Sequence, residues 1–292
     1  MTDLLTQKKR SETGVVVGAV LSAVGFVGFL PAGMGSPVLV LPMIGLFLGG
    51  AILAGSSASR FKKAFREWKT DGIRKVLPHF GSDARFLADH GFTAEQVYSS
   101  LLLRRADRFF SEDMLSGSLG DLRFLSADVK LQDVRHTGKT TTVVTTFLGR
   151  VYLLDFSRDF PTDLTVFQPS FGRAWGFGDY GYQTVTLESV DFNRELLVLA
   201  KDPLAAFRIL TPPVMERLMA LDRRYDDRIA LSIQGSRLWI AVRTGRDHFE
   251  AKLFQPLPET MAPDLEEDWL TVREWAEALE MRHPSGMKEE KR

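Results

Sequence analysis

Cysteine is absent from the 292 residues. That excludes a disulfide framework, a thiol nucleophile and thiolate metal ligation. An excess of charge of either sign is missing too, with 37 Lys and Arg against 37 Asp and Glu. The chain therefore has no bulk pull toward nucleic acid, and none is expected as a partner. Histidine stands at only five positions, His79, His90, His136, His248 and His283. No two share metal-ligand spacing on one helix face, so no metal site is expected. The most informative absence is local. From residue 13 to residue 59, 47 consecutive positions carry no charged side chain.

No ordinary soluble segment has that composition. Two apolar stretches, residues 14–30 and 38–54, flank Pro31-Ala32-Gly33-Met34-Gly35-Ser36-Pro37. The clustered prolines and glycines predict a turn, so the run reads as a transmembrane helical hairpin. Each stretch has 17 residues, about 25 Å of helix against a hydrocarbon core of about 30 Å. Gly14-xxx-Gly18 and Gly45-xxx-Gly49 permit close helix packing. Packing within the hairpin is expected of both pairs, with a homo-oligomer through the spans as the alternative. Lys8, Lys9 and Arg10 precede the first span, Arg60, Lys62, Lys63, Arg66 and Lys69 follow the second, and the turn has no charge. This predicts a membrane protein with both termini cytoplasmic. A cleaved signal peptide is the competing reading, and a second apolar span following at once argues against it.

The rest reads as α+β, a mainly antiparallel sheet with flanking helices. The expected layout is a cytoplasmic segment 1–13, the hairpin 14–55, a helical juxtamembrane region 56–110, a cytoplasmic α+β domain 111–283 and a disordered tail 284–292. In the juxtamembrane region, a helix over 59–76 places Phe61, Phe65, Trp68 and Gly72 on one face. Its basic face, Arg60, Lys62, Lys63, Arg66 and Lys69, is the candidate membrane-surface site. Helices are also expected over 82–90 and from Thr93, which opens a capping box with Gln96, to Phe110.

Strands follow around Val129–Val134, over 140–156, over 184–192 and over 195–200. Asp202-Pro203 and Thr211-Pro212 each start a helix, the second burying Met215, Leu218 and Leu221. Residues 229–234 and 237–242 flank Gly235-Ser236 as a hairpin, with a third strand over 248–254. A last helix carries the apolar stripe Leu265, Trp269, Val272, Ala276 and Leu279.

Four groups of residues carry a family resemblance. One is Ser111-Glu112-Asp113-Met114-Leu115-Ser116-Gly117. Another is Thr146-Phe147-Leu148-Gly149-Arg150-Val151-Tyr152. The most specific are Leu187-Glu188-Ser189 with Asp191-Phe192-Asn193, then Leu210-Thr211-Pro212 with Met215-Glu216-Arg217-Leu218. In that order and spacing the chain resembles the bacterial DUF3137 family of uncharacterised membrane proteins, over roughly residues 60–255. The resemblance implies two N-terminal spans before a cytoplasmic α+β domain. It implies no activity, cofactor or catalytic residue. Because relatives neighbour genes for LemA-like membrane proteins, it implies such a protein as a candidate partner.

Recognisable chemistry is sparse. Gly138-Lys139-Thr140 resembles the end of a phosphate-binding loop, but Asp133 stands where the first Gly belongs and a β run follows, so a hairpin turn is expected. Gly176-Phe177-Gly178-Asp179-Tyr180-Gly181 matches G-x-G-x-x-G, yet a strand follows where a dinucleotide site needs a helix. Ser189 and Ser236 lack a nucleophile elbow. Glu112-Asp113, Asp226-Asp227 and Glu266-Glu267-Asp268 are sequence neighbours that seldom form a catalytic dyad; the first and last are expected as solvated charge. No cofactor is expected.

The loop over 171–182 stands out, with Phe171, Trp175, Phe177, Tyr180 and Tyr182 among glycines. Aromatics beside small residues offer contact area at low entropy cost. These five are the candidate partner-binding residues, the competing reading being a long hairpin with its aromatics folded onto the domain's own core, or simply a mobile loop. The reading reached is a non-enzymatic, membrane-anchored interaction or scaffold module that meets the bilayer and a protein partner. The alternative is a ligand-sensing or enzymatic domain tethered to the membrane.

Overall fold

A computed structural model of the chain describes residues 2–35, 37–169, 180–226, 228–245, 251–260 and 262–280. By contact the chain divides into two units, Met1–Ile73 with Phe249–Met261, and Arg74–His248 with Ala262–Arg292.

The first unit is built on two helices. α1 runs Thr2–Gly35 and α2 Val40–Val76, with a short 3₁₀ turn at Pro37–Leu39 between them. Both are long and apolar enough to cross a membrane. At 34 and 37 residues they reach about 50 Å, well past a core of about 30 Å. Each basic flank is therefore a continuation of its apolar helix. The turn is shorter than the Pro31–Pro37 motif suggests. Pro31 removes one backbone donor, but its fixed φ is helical, and α1 carries on to Gly35.

The helices pack antiparallel through glycine. A Cβ on Gly18 would lie 2.5 Å from the Gly50 carbonyl oxygen, and one on Gly50 2.5 Å from the Gly18 carbonyl oxygen. Gly25 faces Met43 and Phe47 in the same way. The Ser22 hydroxyl donates to the Phe47 carbonyl at 3.0 Å, and the Phe26 and Phe47 rings lie 6.3 Å apart. Gly14 and Gly18 thus pack inside the hairpin as expected. Gly45 and Gly49 do not, because among the described residues nothing lies within 4 Å of a Cβ built on either; Gly50 takes the place of Gly49 in the contact.

Further along α2 the buried stripe is Phe61, Phe65, Lys69 and Ile73. That corrects the expected Phe61, Phe65, Trp68 and Gly72. A strict i+4 repeat wins over the mixed spacing, and Lys69 falls on the stripe.

The second unit is α+β, and among the described residues its strands form one nine-stranded sheet, every pair antiparallel. In chain order they are β1 (Arg85–Leu87), β2 (Arg108–Leu119), β3 (Leu122–Thr137), β4 (Thr140–Asp155), β5 (Leu164–Phe167), β6 (Gln183–Val185), β7 (Leu197–Ala200), β8 (Ile229–Gln234) and β9 (Arg237–Val242). Across the sheet the order is β1-β2-β3-β4-β9-β8-β5-β7-β6. The helices are α3 (Ala94–Ser99), α4 (Val190–Glu195), α5 (Pro203–Ile209), α6 (Pro212–Arg224) and α7 (Ala262–Glu280).

Several local expectations hold with their causes visible. Thr93 and Gln96 form the capping box, the Thr93 N–H donating to Gln96 Oε1 at 2.8 Å and the Gln96 N–H to Thr93 Oγ1 at 3.2 Å. Asp202 caps α5. Gly138, at φ 59°, turns β3 into β4, so Gly138-Lys139-Thr140 is a hairpin turn. α6 buries Met215, Leu218 and Leu221.

Other elements differ. The expected helix over 82–90 is instead the edge strand β1, which satisfies its backbone against β2. The helix from Thr93 stops at Ser99 rather than Phe110. The Ser100 hydroxyl turns back onto the Val97 carbonyl at 2.6 Å, Leu101 takes φ 61°, and β2 begins at Arg108. The strand expected over 184–192 ends at Val185. Ser189 caps α4 through the Phe192 N–H at 3.2 Å, and the Asn193 side chain brackets Leu187, accepting from its N–H at 3.0 Å and donating to its carbonyl at 2.6 Å. In the third strand expected over 248–254, residues 251 and 252 are irregular and 253 and 254 form a turn, with Phe254 at φ 65° and its N–H on Glu12 Oε1 at 2.8 Å. Residues 248–250 and the tail 284–292 lie outside the described residues.

The main core cluster joins Phe92, Val97, Val129, Leu131, Phe147 and Trp239 on one face of the sheet. The other face of β3 and β4 carries the polar residues treated next.

Candidate functional site

Opposite residues on paired strands share a face. The β3–β4 register sets Ser126 against Tyr152 and Asp128 against Arg150. All four lie on the sheet face away from Val129 and Val151, and all are buried, Arg150 completely. α7 supplies Asp268, which is also fully buried.

The Arg150 guanidinium is enclosed by oxygen. Its Nε donates to Asp268 Oδ1 and Oδ2 at 2.9 and 2.8 Å. Its Nη1 donates to the Asp113 carbonyl at 3.0 Å and to Asp128 Oδ1 at 3.2 Å. Its Nη2 donates to Ser126 Oγ at 3.1 Å and lies 2.5 Å from Asp268 Oδ2. Asp268 also accepts from the Tyr152 hydroxyl at 2.8 Å and from Ser126 Oγ at 3.0 Å. The Asp113 carbonyl reaches Arg150 because β2 bulges between Glu112 and Leu115, with Asp113 at φ 59°.

Burial alone lowers the Arg150 pKa, but the charges of Asp268 and Asp128 outweigh it and hold it above its ordinary value. Burial and then Asp268 raise the Tyr152 hydroxyl well above 10.0. With no exposed face on the guanidinium, the arrangement is a fixed ionic lock that pins α7 to β3 and β4. Asp113 and Asp268 were expected as solvated charge; both are 0% exposed, because each falls on a buried register of its element.

Three tyrosines are held protonated. Burial raises Tyr152 and Tyr225, the latter despite its hydrogen bond to Thr271 Oγ1 at 2.6 Å, and burial beside Asp163 pushes Tyr182 up to about 12. Above the ordinary phenol pKa of about 10 the unfolded chain loses these protons first. Their stabilising contribution is therefore full below that pH and falls above it. Thermal melts on either side of pH ~10 are expected to show this fall, and Tyr152→Phe to flatten it. A melting temperature that stays level across the range contradicts it.

Of the candidate partner-binding residues, Phe171, Trp175 and Phe177 lie outside the described residues. Tyr180 is 58% exposed. Tyr182 is buried in the main core cluster, with Lys201 Nζ 5.8 Å from its ring centroid. Tyr182 thus fits the competing core-packing reading, being buried in the same cluster as Phe167, Leu199 and Trp239. Next to this loop in sequence, β6 stands last in the strand order and, among the described residues, pairs only with β7.

Of the candidate membrane-surface residues, Arg60, Lys62 and Lys63 are exposed and Arg66 is half-buried. Lys69 is 2% exposed, so it is a packed residue rather than a headgroup contact.

Sequence reasoning missed the Arg150 centre. Its signal is a lone arginine inside the apolar strand Phe147-Leu148-Gly149-Arg150-Val151-Tyr152-Leu153-Leu154, together with an aspartate at 268 on the apolar stripe of the last helix.

An α+β domain on one sheet, in a chain with two long apolar helices, is the class that these observations define. Residues 145–279 match the model of a family described as a protein of unknown function, DUF3137. The resemblance stated from the motifs thus stands. Three motif groups, at 146–152, 187–193 and 210–218, fall inside the match, and the group at 111–117 precedes it. No curated protein matches the sequence. A solved structure, that of the mycobacterial trehalose monomycolate transport factor A, TtfA, is similar at 8% identity with a TM-score of 0.40, covering 72% of this chain and 93% of that one.

Proposed function

We propose that the protein is a scaffold anchored in the bacterial inner membrane, with both termini and its α+β domain in the cytoplasm, where the domain binds a protein partner. The two apolar helices and the basic residues flanking them support the anchor and its orientation. The observation that carries the partner reading is the free sheet edge. Among the described residues the three-residue strand β6 is paired on one side only, and Tyr180, 58% exposed, stands three residues before it. Phe171, Trp175 and Phe177 precede Tyr180 in the same aromatic segment. An open edge beside an exposed aromatic suits capture of a partner segment. A LemA-like membrane protein is the candidate partner, and the open face at Gly45 and Gly49 leaves room for a second copy of the chain in the bilayer.

The absence of cysteine permits one experiment on both points. Tyr180→Cys provides the only thiol. A membrane-impermeant thiol cross-linker is expected to reach it in inside-out vesicles and not in intact spheroplasts. It is expected to capture one partner, lost when Trp175→Ser and Phe177→Ser are added. Labelling of intact spheroplasts overturns the orientation. Capture that survives the two substitutions overturns the loop as the interface.

A further inference from the structure

At the basic end of the helix pair, α1 and α2 enclose a cleft of about 410 Å³. Arg10 and Ser11 line it from α1, and Ser57, Arg60, Lys63 and Glu67 from α2. We propose that this cleft is a binding site for the phosphate-bearing headgroup of an anionic phospholipid. The proposal rests on the reading of α1 and α2 as membrane-spanning.

Three cations face one carboxylate, so the cleft carries a surplus of positive charge. Among the described residues none of Arg10, Arg60 and Lys63 has an ion pair, and the nearby carboxylate of Glu12 is engaged by Lys8 and by the Phe254 N–H. Two unneutralised guanidinium forks and an ammonium around one space match phosphate oxygens, which guanidinium binds bidentately. Ser11 and Ser57, 5% and 6% exposed, place hydroxyl donors within the cleft wall.

The depth also fits. Gly14 packs against Ser57 at the last level of the uncharged run. Arg10 lies one turn beyond it on α1 and Arg60 just beyond Ser57 on α2, about 5 Å along each axis. This is the level of headgroup phosphates flanking a hydrocarbon core, and basic pockets between helices there are suited to anionic headgroups. The cleft draws on both helices, so it is a formed site rather than a basic stripe on one of them.

The test uses the full chain reconstituted in phosphatidylcholine vesicles with and without phosphatidylglycerol. Lipid retained on the protein is counted by native mass spectrometry. One phosphatidylglycerol per chain is expected to be held. Arg10→Gln, Arg60→Gln and Lys63→Gln together are expected to weaken retention by more than about ten-fold. A control of equal charge change, Lys9→Gln with Arg74→Gln and Lys75→Gln, is expected to change it by less than about two-fold. Glu67→Gln is expected to tighten retention, a gain that a misfolded variant cannot produce. Equal losses in the two triple variants overturn the site in favour of diffuse surface charge. Displacement of the lipid by millimolar inorganic phosphate assigns the cleft to a soluble phosphate compound and overturns the headgroup proposal. Failure to float with phosphatidylcholine vesicles alone defeats the spanning reading itself, which separates that outcome from loss of the site.

Discussion

Replacing Asp268 with alanine is expected to cost the domain about 3–5 kcal/mol. The reason is that it strands Arg150, which is fully buried and spends its Nε and an Nη2 contact on that one carboxylate. Tyr152 and Ser126 lose an acceptor in the same step. A loss of that size is a large part of the stability of an ordinary domain, about 5–15 kcal/mol. Asp268→Asn, which keeps the shape and one acceptor, is expected to fall between the two. Joint replacement by Arg150→Met and Asp268→Leu is expected to recover only part of the loss, because Asp128 then stays buried without its cation. Urea unfolding of the detergent-solubilised protein, followed by tryptophan fluorescence, measures the series. An Asp268→Ala midpoint equal to wild type would show that α7 is held by its apolar stripe alone.

Gly149→Val is the second substitution with a large expected effect, about 3 kcal/mol or more. A Cβ at Gly149 would meet the Thr244 amide nitrogen at 2.9 Å and the Arg243 Cα at 3.0 Å, with the Val242 carbonyl oxygen closer still. These are backbone atoms, so no rotamer change relieves the clash. The contact exists because the chain leaving β9 crosses over β4 here, where the Gly245 N–H donates to the Leu148 carbonyl at 2.9 Å. Any shift at Gly149 also moves Arg150, its neighbour in the strand. A thermal melt compares Gly149→Ala and Gly149→Val with wild type, and the larger side chain is expected to melt lower. Unchanged melting for both would mean that the β9 exit moves aside freely.

The elements that were readable in the sequence are those whose cause is local. Gly235-Ser236 sets the β8–β9 hairpin, Asp202-Pro203 starts α5, and the Thr93–Gln96 box starts α3. The 47-residue gap in charge identifies α1 and α2. What was not readable depends on a partner distant in sequence. β1 becomes a strand only because β2 lies beside it. The α4 motif looked like alternation until Asn193 folded back on Leu187. Arg150 and Asp268 are 118 residues apart, and an aspartate within Glu266-Glu267-Asp268 looks like solvated charge unless the buried arginine is known. The candidate loop was conspicuous by composition, yet composition does not separate Tyr182, buried next to β6, from Tyr180, exposed two residues earlier.

The long separation between Arg150 and Asp268 also governs the order of events during synthesis. α1 and α2 emerge first and β3 and β4 follow, so of the two carboxylates paired with Arg150, Asp128 is in place early and Asp268 comes last. The sheet face around Arg150 stays open to water until α7 arrives. A translational stall before residue 268 therefore leaves an open sheet face with a hydrated guanidinium, an incompletely packed intermediate of the kind that is prone to aggregate.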